Sequence, residues 1–294
     1  MGYGNNLFRL SYYLLPIFST LRLQRWLFPS KVRRRMADFR NPEFALAYHR
    51  KGDACRELGN MELALKNYLR ATQLDSEFTQ AFLDLGDVLK ETGELQKAAE
   101  CYTKAVELDP SRTETYISRA NVYGSMGDHE REVADYDSAI ALSPTDPLLR
   151  GRRGAALILA GRHMEAIADY TRLLELKPTF LWVRVIRADA YAAVGMNKEA
   201  IDDYNIFIGL HPEYAETYVS RGKVWYNLGE YNKAIEDHTC AIELAPDLAE
   251  AYFNRGLSRE ELGMALPAIA DFRAAAQLGD ADAQDLLRLR GIFQ

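Results

Sequence analysis

Apolar residues return along most of this chain at helical spacing. In "AIADYTRLLEL", residues 166–176, Ala166, Ile167, Tyr170, Leu173 and Leu174 recur at steps of three and four, as on a helix with one buried face. Such stretches are interrupted on a fixed schedule. Glycine stands at 59, 93, 127, 161, 195, 229 and 263, every 34 residues. Seven positions before each is a small residue: Gly52, Gly86, Ala120, Gly154, Ala188, Gly222 and Gly256. Five positions after most of them is alanine (Ala64, Ala98, Ala166, Ala200, Ala234, Ala268), with Glu132 in the third unit. Proline closes most units, at Pro110, Pro144, Pro178, Pro212 and Pro246.

Each series has a physical reason. The first glycines suit the left-handed residue that ends a helix. The small residues let two antiparallel helices approach closely. The prolines stop the second helix and start the next unit. Each unit is therefore expected to be a helix–turn–helix hairpin.

This pattern resembles the tetratricopeptide repeat family, whose 34-residue unit carries aromatic and small residues, then alanine and a terminal proline. Seven units fit: 45–78, 79–112, 113–146, 147–180, 181–214, 215–248 and 249–282, which together hold 238 of the 294 residues. Departures occur at Arg150 and Arg184, in an aromatic position of units four and five, and at Ser76 and Asp280, where proline is usual. The resemblance implies an all-α, right-handed superhelical solenoid of antiparallel helix pairs. An N-terminal arm, residues 1–44, precedes it. A C-terminal capping helix and tail, residues 283–294, follow it, with Asp280 as N-cap and Leu286, Leu287 and Leu289 covering the last unit. Asn41-Pro42-Glu43 reads as the cap and first turn of the first repeat helix.

One correlation lies inside the repeat itself. The seventh position is arginine in five units (Arg119, Arg153, Arg187, Arg221, Arg255), and the same five have aspartate sixteen residues later (Asp135, Asp169, Asp203, Asp237, Asp271). The units with Lys51 and Leu85 have Asn67 and Cys101 instead. The spacing predicts five Arg–Asp pairs between facing helices, within units or between neighbours.

Charge separates the ends of the chain. Residues 1–40 hold eight Lys/Arg against Asp38, a net +7, whereas the remainder carries −13. An acidic body argues against nucleic-acid binding except through the basic arm. Within the arm the uncharged run Leu10–Leu21 is short and contains Pro16, so a bilayer crossing is not expected. Arg9, Arg22, Arg25, Trp26, Lys31, Arg33, Arg34 and Arg35 instead suit an interfacial helix on an anionic membrane or partner. Residues 7–35 are the expected peripheral contact, on a reducing, cytoplasmic face. A targeting address, packing into the solenoid's own groove, and contact with RNA remain alternatives. Three cysteines, Cys55, Cys101 and Cys240, have no spacing for a disulfide framework or a zinc site.

No HExxH, GxSxG, Walker A or GxGxxG occurs, so neither catalytic residues, metal nor cofactor is expected. His129 and His163 share a repeat position, and His49–Asp53 at i, i+4 reads as a solvated polar pair. By resemblance, the first helix of each hairpin lines a concave groove. This places a charged wall in units one and two, including Asp53, Arg56, Asp84 and Asp87. An apolar floor follows in units four and five: Leu148, Ile158, Trp182, Val185 and Ile186, with Arg152 and Asp189 beside it. Tyr226 and Phe253 extend that floor. The expected partner is a peptide or amphipathic helix, with Trp182 as anchor. The family's carboxylate clamp for chaperone tails is not expected, because the position of its lysine is held by His49, Leu83, Ile117, Gly151, Val185, Val219 and Phe253.

Overall fold

A computed structural model describes residues 41–292. Their regular structure is entirely helical. The first hairpin pairs α1 (Pro42–Glu57) with α2 (Met61–Leu74), and the second α3 (Thr79–Glu91) with α4 (Leu95–Leu108). Then follow α5 (Thr113–Ser125) with α6 (His129–Leu142), and α7 (Pro147–Leu159) with α8 (His163–Leu176). The last three hairpins are α9 (Trp182–Ala193) with α10 (Asn197–Leu210), α11 (Ala215–Asn227) with α12 (Tyr231–Leu244), and α13 (Ala249–Glu261) with α14 (Ala265–Gln277). A single helix, α15 (Ala281–Leu289), ends the series. Two compact parts are distinguished, one ending at Pro110 and the other starting at Ser111. In each, the second helix of a unit packs on the first helix of the next.

Local sequence sets these boundaries. Asn41 accepts from Phe44 N at 3.2 Å and Asn60 from Leu63 N at 3.1 Å, supplying acceptors to otherwise orphaned helix N–H groups. Gly161 and Gly195 take φ of 74° and 77° at the hairpin turns, where a side chain would be strained. The other small residues act by contact. A Cβ at Gly154 would lie 2.7 Å from the ring of Tyr170, and one at Gly256 2.6 Å from Phe272. The aromatic residue of the second helix thus lies against the backbone of the first.

The core is a succession of small clusters, such as Ala120, Val133, Tyr136, Ala156, Leu157, Ala166 and Tyr170, each bridging adjacent units. At the C-terminal end Asp280 caps α15 through Ala283 N at 2.7 Å. Leu287 is buried under that helix, but Leu289, expected to cover the last unit, is 87% exposed. It projects from the final turn, one residue before the C-cap Arg290, where no further helix follows among the described residues. No helix among them is long and apolar enough to cross a membrane. The arm residues Arg9 to Arg35 lie outside the described residues.

Candidate functional site

A charged skeleton fixes the helices that carry the groove. All five Arg–Asp pairs form, each within its own unit. Arg187 donates to Asp203 through Nε (2.7 Å) and Nη2 (2.8 Å), the bidentate fork that matches a carboxylate. Arg119–Asp135, Arg153–Asp169, Arg221–Asp237 and Arg255–Asp271 repeat this geometry. All five carboxylates are buried. Burial pushes the Asp237 carboxyl above its ordinary range even though Arg221 opposes the shift.

Two features of this skeleton escape the correlation in the sequence. The remaining guanidinium nitrogen reaches back to the preceding unit. Arg153 meets Asp137, Arg187 meets Thr171, Arg221 meets Asn205, and Arg255 meets Thr239, at 2.5–3.2 Å. Each of these four arginines therefore joins its own hairpin and ties it to its neighbour. The departures Arg150 and Arg184 add second donors to Asp169 and Asp203, at 3.4 and 3.1 Å.

A second internal pairing runs through the units. Position 24 of the unit is Tyr68, Tyr102, Tyr136, Tyr170, Tyr204, His238 and Phe272, and position 9 is Asp53, Asp87, Asn121, Ala155, Asp189, Lys223 and Leu257. Where position 9 is Asp or Asn, the tyrosine hydroxyl donates to it: Tyr68 to Asp53 (2.8 Å), Tyr102 to Asp87, Tyr136 to Asn121 (2.9 Å) and Tyr204 to Asp189. Asp189, expected to stand beside the apolar floor, is exposed as a residue but has one oxygen held in this way. Burial of the carboxyl pushes it above its ordinary range against the tyrosine bond.

The expected groove residues divide sharply by burial. On α7 the exposed stripe is Leu148, Arg152, Ala155 and Leu159, and on α9 it is Trp182, Ile186, Asp189 and Ala193. Both stripes run i, i+4, i+7, i+11, one face of each helix. The corresponding stripe is mostly polar elsewhere, as in Glu114, Ser118, Asn121 and Ser125 of α5 or Glu216, Ser220, Lys223 and Asn227 of α11. Apolar groups thus face solvent in two consecutive units. Leu159 is 66% exposed and Trp182 52%. The indole of Trp182 is held from behind by Phe207 and Tyr214, each with ring centroid at 4.6 Å.

Other expected floor residues are partly covered. Ile158 and Val185 pack onto the core clusters of their own units. Tyr226 leans on Tyr231 at 5.4 Å and its hydroxyl reaches Glu261 at 3.4 Å. Phe253 packs on Phe272 at 5.8 Å.

The charged wall of the first two units is largely self-paired. Arg56 binds Glu91, and Lys90 lies 3.5 Å from Asp87. His49 is not the solvated partner of Asp53 expected from their spacing. It is buried, at 8% exposed, because Asp84 of the next unit and the rings of Tyr68 and Phe78 close over it. His49, Asp53 and Asp84 place their ligand-type atoms within 4.8 Å of one another, which among the described residues is where metal-ligand chemistry converges.

A family profile described as "TPR repeat" matches residues 52–93, 86–127 and 222–263, and one described as "Tetratricopeptide repeat" matches 113–146. The repeats are tetratricopeptide repeats. The TPR match agrees with solved structures. A tetratricopeptide repeat protein from Parabacteroides merdae is 21% identical over 84% of this chain and 98% of its own, with a TM-score of 0.57. YrrB, described as a TPR protein with an unusual peptide-binding site, is 23% identical over 63% of this chain and 95% of its own, with a TM-score of 0.54. MamA from Desulfovibrio magneticus RS-1 is 17% identical over 56% and 94%, also at 0.54. At these identities the likeness is one of fold. No curated protein matches the sequence.

Proposed function

We propose that this TPR chain is a non-catalytic interaction scaffold that receives a peptide or amphipathic helix on the first-helix faces of units four and five. One observation carries the reading: the solvent-facing stripes of α7 and α9 are mainly apolar, whereas the same positions in α5 and α11 are polar. Exposed apolar surface concentrated in this way is costly in water and marks a contact surface. Trp182 is the anchor. Its ring is backed by Phe207 and Tyr214, so it presents a pre-ordered face and loses little side-chain entropy on binding. Arg152 gives the surface one exposed positive group beside Leu148. YrrB's described peptide-binding site is consistent with such use of the fold. The basic residues 31–35 and Arg9, Arg22 and Arg25, with Trp26, would hold the acidic repeat body at an anionic membrane surface or at an acidic face of a larger complex.

Selecting a displayed peptide library on the full chain tests the groove. Peptides so obtained are expected to bind Trp182→Ala at least about 30-fold more weakly, the loss of a hot spot of about 2 kcal/mol. Ile186→Asp should weaken them comparably. Unchanged binding to both variants would place the contact elsewhere.

A further inference from the structure

His49, Asp53 and Asp84 have no part in the apolar groove, and their geometry leaves one electrostatic need unmet. His49 Nε2 lies 2.6 Å from Asp84 Oδ2, on the first helix of unit two, and Nδ1 lies 3.3 Å from Asp53 Oδ2, one turn along its own helix. A neutral imidazole carries a single N–H. The shorter contact takes it, so Nε2 donates to Asp84. Nδ1 then turns a lone pair toward a carboxylate oxygen, and two acceptors face each other. Only a cation between them, a proton or a metal ion, makes that arrangement favourable. We propose that this gap is a seat for a divalent transition-metal ion of the zinc class, held by His49 Nδ1 and Asp53 Oδ2, with Asp84 positioning the ring.

The distances fit such an ion. Bonds of about 2 Å at near-tetrahedral angles put two ligand atoms of one zinc about 3.3 Å apart, which is the separation of Nδ1 from Asp53 Oδ2. A metal-bound histidine usually donates its other ring N–H to a carboxylate, which fixes the tautomer and the ring plane. Asp84 stands in that place, and Gln80 donates to the same Asp84 oxygen at 3.0 Å. Tyr68 donates to Asp53 Oδ1 at 2.8 Å, which holds the carboxylate and leaves Oδ2 for the ion. The rings of Tyr68 and Phe78, with centroids 5.4 and 5.0 Å from the imidazole, hold it in position. His49, Asp53, Tyr68, Gln80 and Asp84 all stand on the helices α1, α2 and α3, so the seat is built on rigid elements.

The local charge also favours a cation. Asp53, Asp84, Asp87 and Glu91 are accompanied by Arg56 and Lys90, so four carboxylates stand against two fixed cations. An imidazole nitrogen beside a carboxylate oxygen suits zinc, cobalt or nickel, whereas magnesium and calcium take oxygen ligands. Asp53 is partly exposed, so the remaining positions of the ion are open to water or to a group of a bound partner. His49 holds the position of the lysine in the family's carboxylate clamp, and with Asp53 and Asp84 beside it that place has the reverse preference, for a cation over a carboxylate.

The test is uptake of cobalt(II) by the full chain at pH 7.5, followed by its visible d–d bands, with zinc then added as competitor. One equivalent should bind, zinc should displace it, and no sulfur-to-cobalt charge-transfer band should appear. His49→Gln and Asp53→Asn should each weaken uptake at least about 10-fold, and Asp84→Asn by about 10–100-fold, the usual loss for an outer carboxylate. Asp84→Asn should also move the d–d bands, because the ring loses the acceptor that sets its basicity. His129→Gln, which removes another histidine beside a carboxylate, should change nothing. Helical circular dichroism of each variant separates loss of the seat from loss of the fold. No uptake at millimolar cobalt overturns the proposal. So does uptake indifferent to any of the His49, Asp53 and Asp84 substitutions in a folded variant, or a charge-transfer band that places the ion on a cysteine.

Discussion

Asp203→Ala is expected to cost about 3–5 kcal/mol, one of the two largest effects considered for a single substitution in this chain. The carboxylate of Asp203 is buried and accepts three guanidinium hydrogen bonds, two from Arg187 and one from Arg184. Removing it strands two cations that are themselves mostly covered. Arg187 would keep its bond to Thr171 of the preceding unit, which is too weak an acceptor to replace a carboxylate. The measurement is the shift in urea midpoint, with Asp203→Asn as the variant that preserves shape and removes charge. A double-mutant cycle with Arg187→Ala should show strong coupling, and additivity of the two would end the argument. The contrast is Glu175→Ala. Its partner Arg172 is exposed, as is Glu175, so that pair should be worth no more than about 0–1 kcal/mol.

The second large effect runs in the stabilising direction. His238 stands where other units have tyrosine, is 0% exposed, and has no hydrogen-bond partner at either ring nitrogen. Burial, together with the charges of Lys223 and Arg255, lowers its pKa to about 4. In the unfolded chain it titrates near 6.5. The unfolded state therefore binds the extra proton between those values, and stability is full above 6.5 and falls as the pH drops toward 4. The expected loss is about 2 kcal/mol by pH 5 and about 3 kcal/mol by pH 4, at about 1.4 kcal/mol per unit. His238→Phe should remove this acid dependence. It should also add about 1–3 kcal/mol at pH 7 by deleting buried polar atoms that make no bond. The seventh unit shows that the ring fits, since Phe272 lies on Gly256 as His238 lies on Gly222. Urea midpoints at pH 7.5 and 5.0 decide the matter. An acid loss of equal size in wild type and His238→Phe would mean that another group carries it. His49, with its raised pKa, acts with the opposite sign on the alkaline side, and His238→Phe should leave that limb in place.

These two histidines show why a repeat pattern conveys some facts and hides others. His49 looked like half of a solvent-facing i, i+4 pair. It is buried because Asp84, thirty-five residues away, and Phe78 close over it. In sequence His238 stands between Asp237 and Thr239 of α12. Only its place against Gly222 makes it an orphan in the core. The tyrosine-to-position-9 pairing carries a signal of this in the sequence: His238 and Lys223 together break a pattern that the Tyr–Asp units keep.

Sequence alone determined what a single hairpin determines. The turn glycines, the small residues beneath aromatic rings and the Arg–Asp spacing all concern groups within sixteen residues of each other across one turn, where chain connectivity fixes geometry, and the 34-residue period repeats them. The family match and the helix pairs rest on the same local regularities. Tertiary structure decided the rest. Stacking showed that arginine tethers neighbouring units through Asp137, Thr171, Asn205 and Thr239, and that Tyr226 and Phe253 are partly covered while Leu148, Leu159, Trp182 and Ile186 stay exposed. Burial is set by how the hairpin closes and by the repeat stacked on it, as for His238 against Gly222 and His49 beneath Asp84, and burial separates a groove from a core.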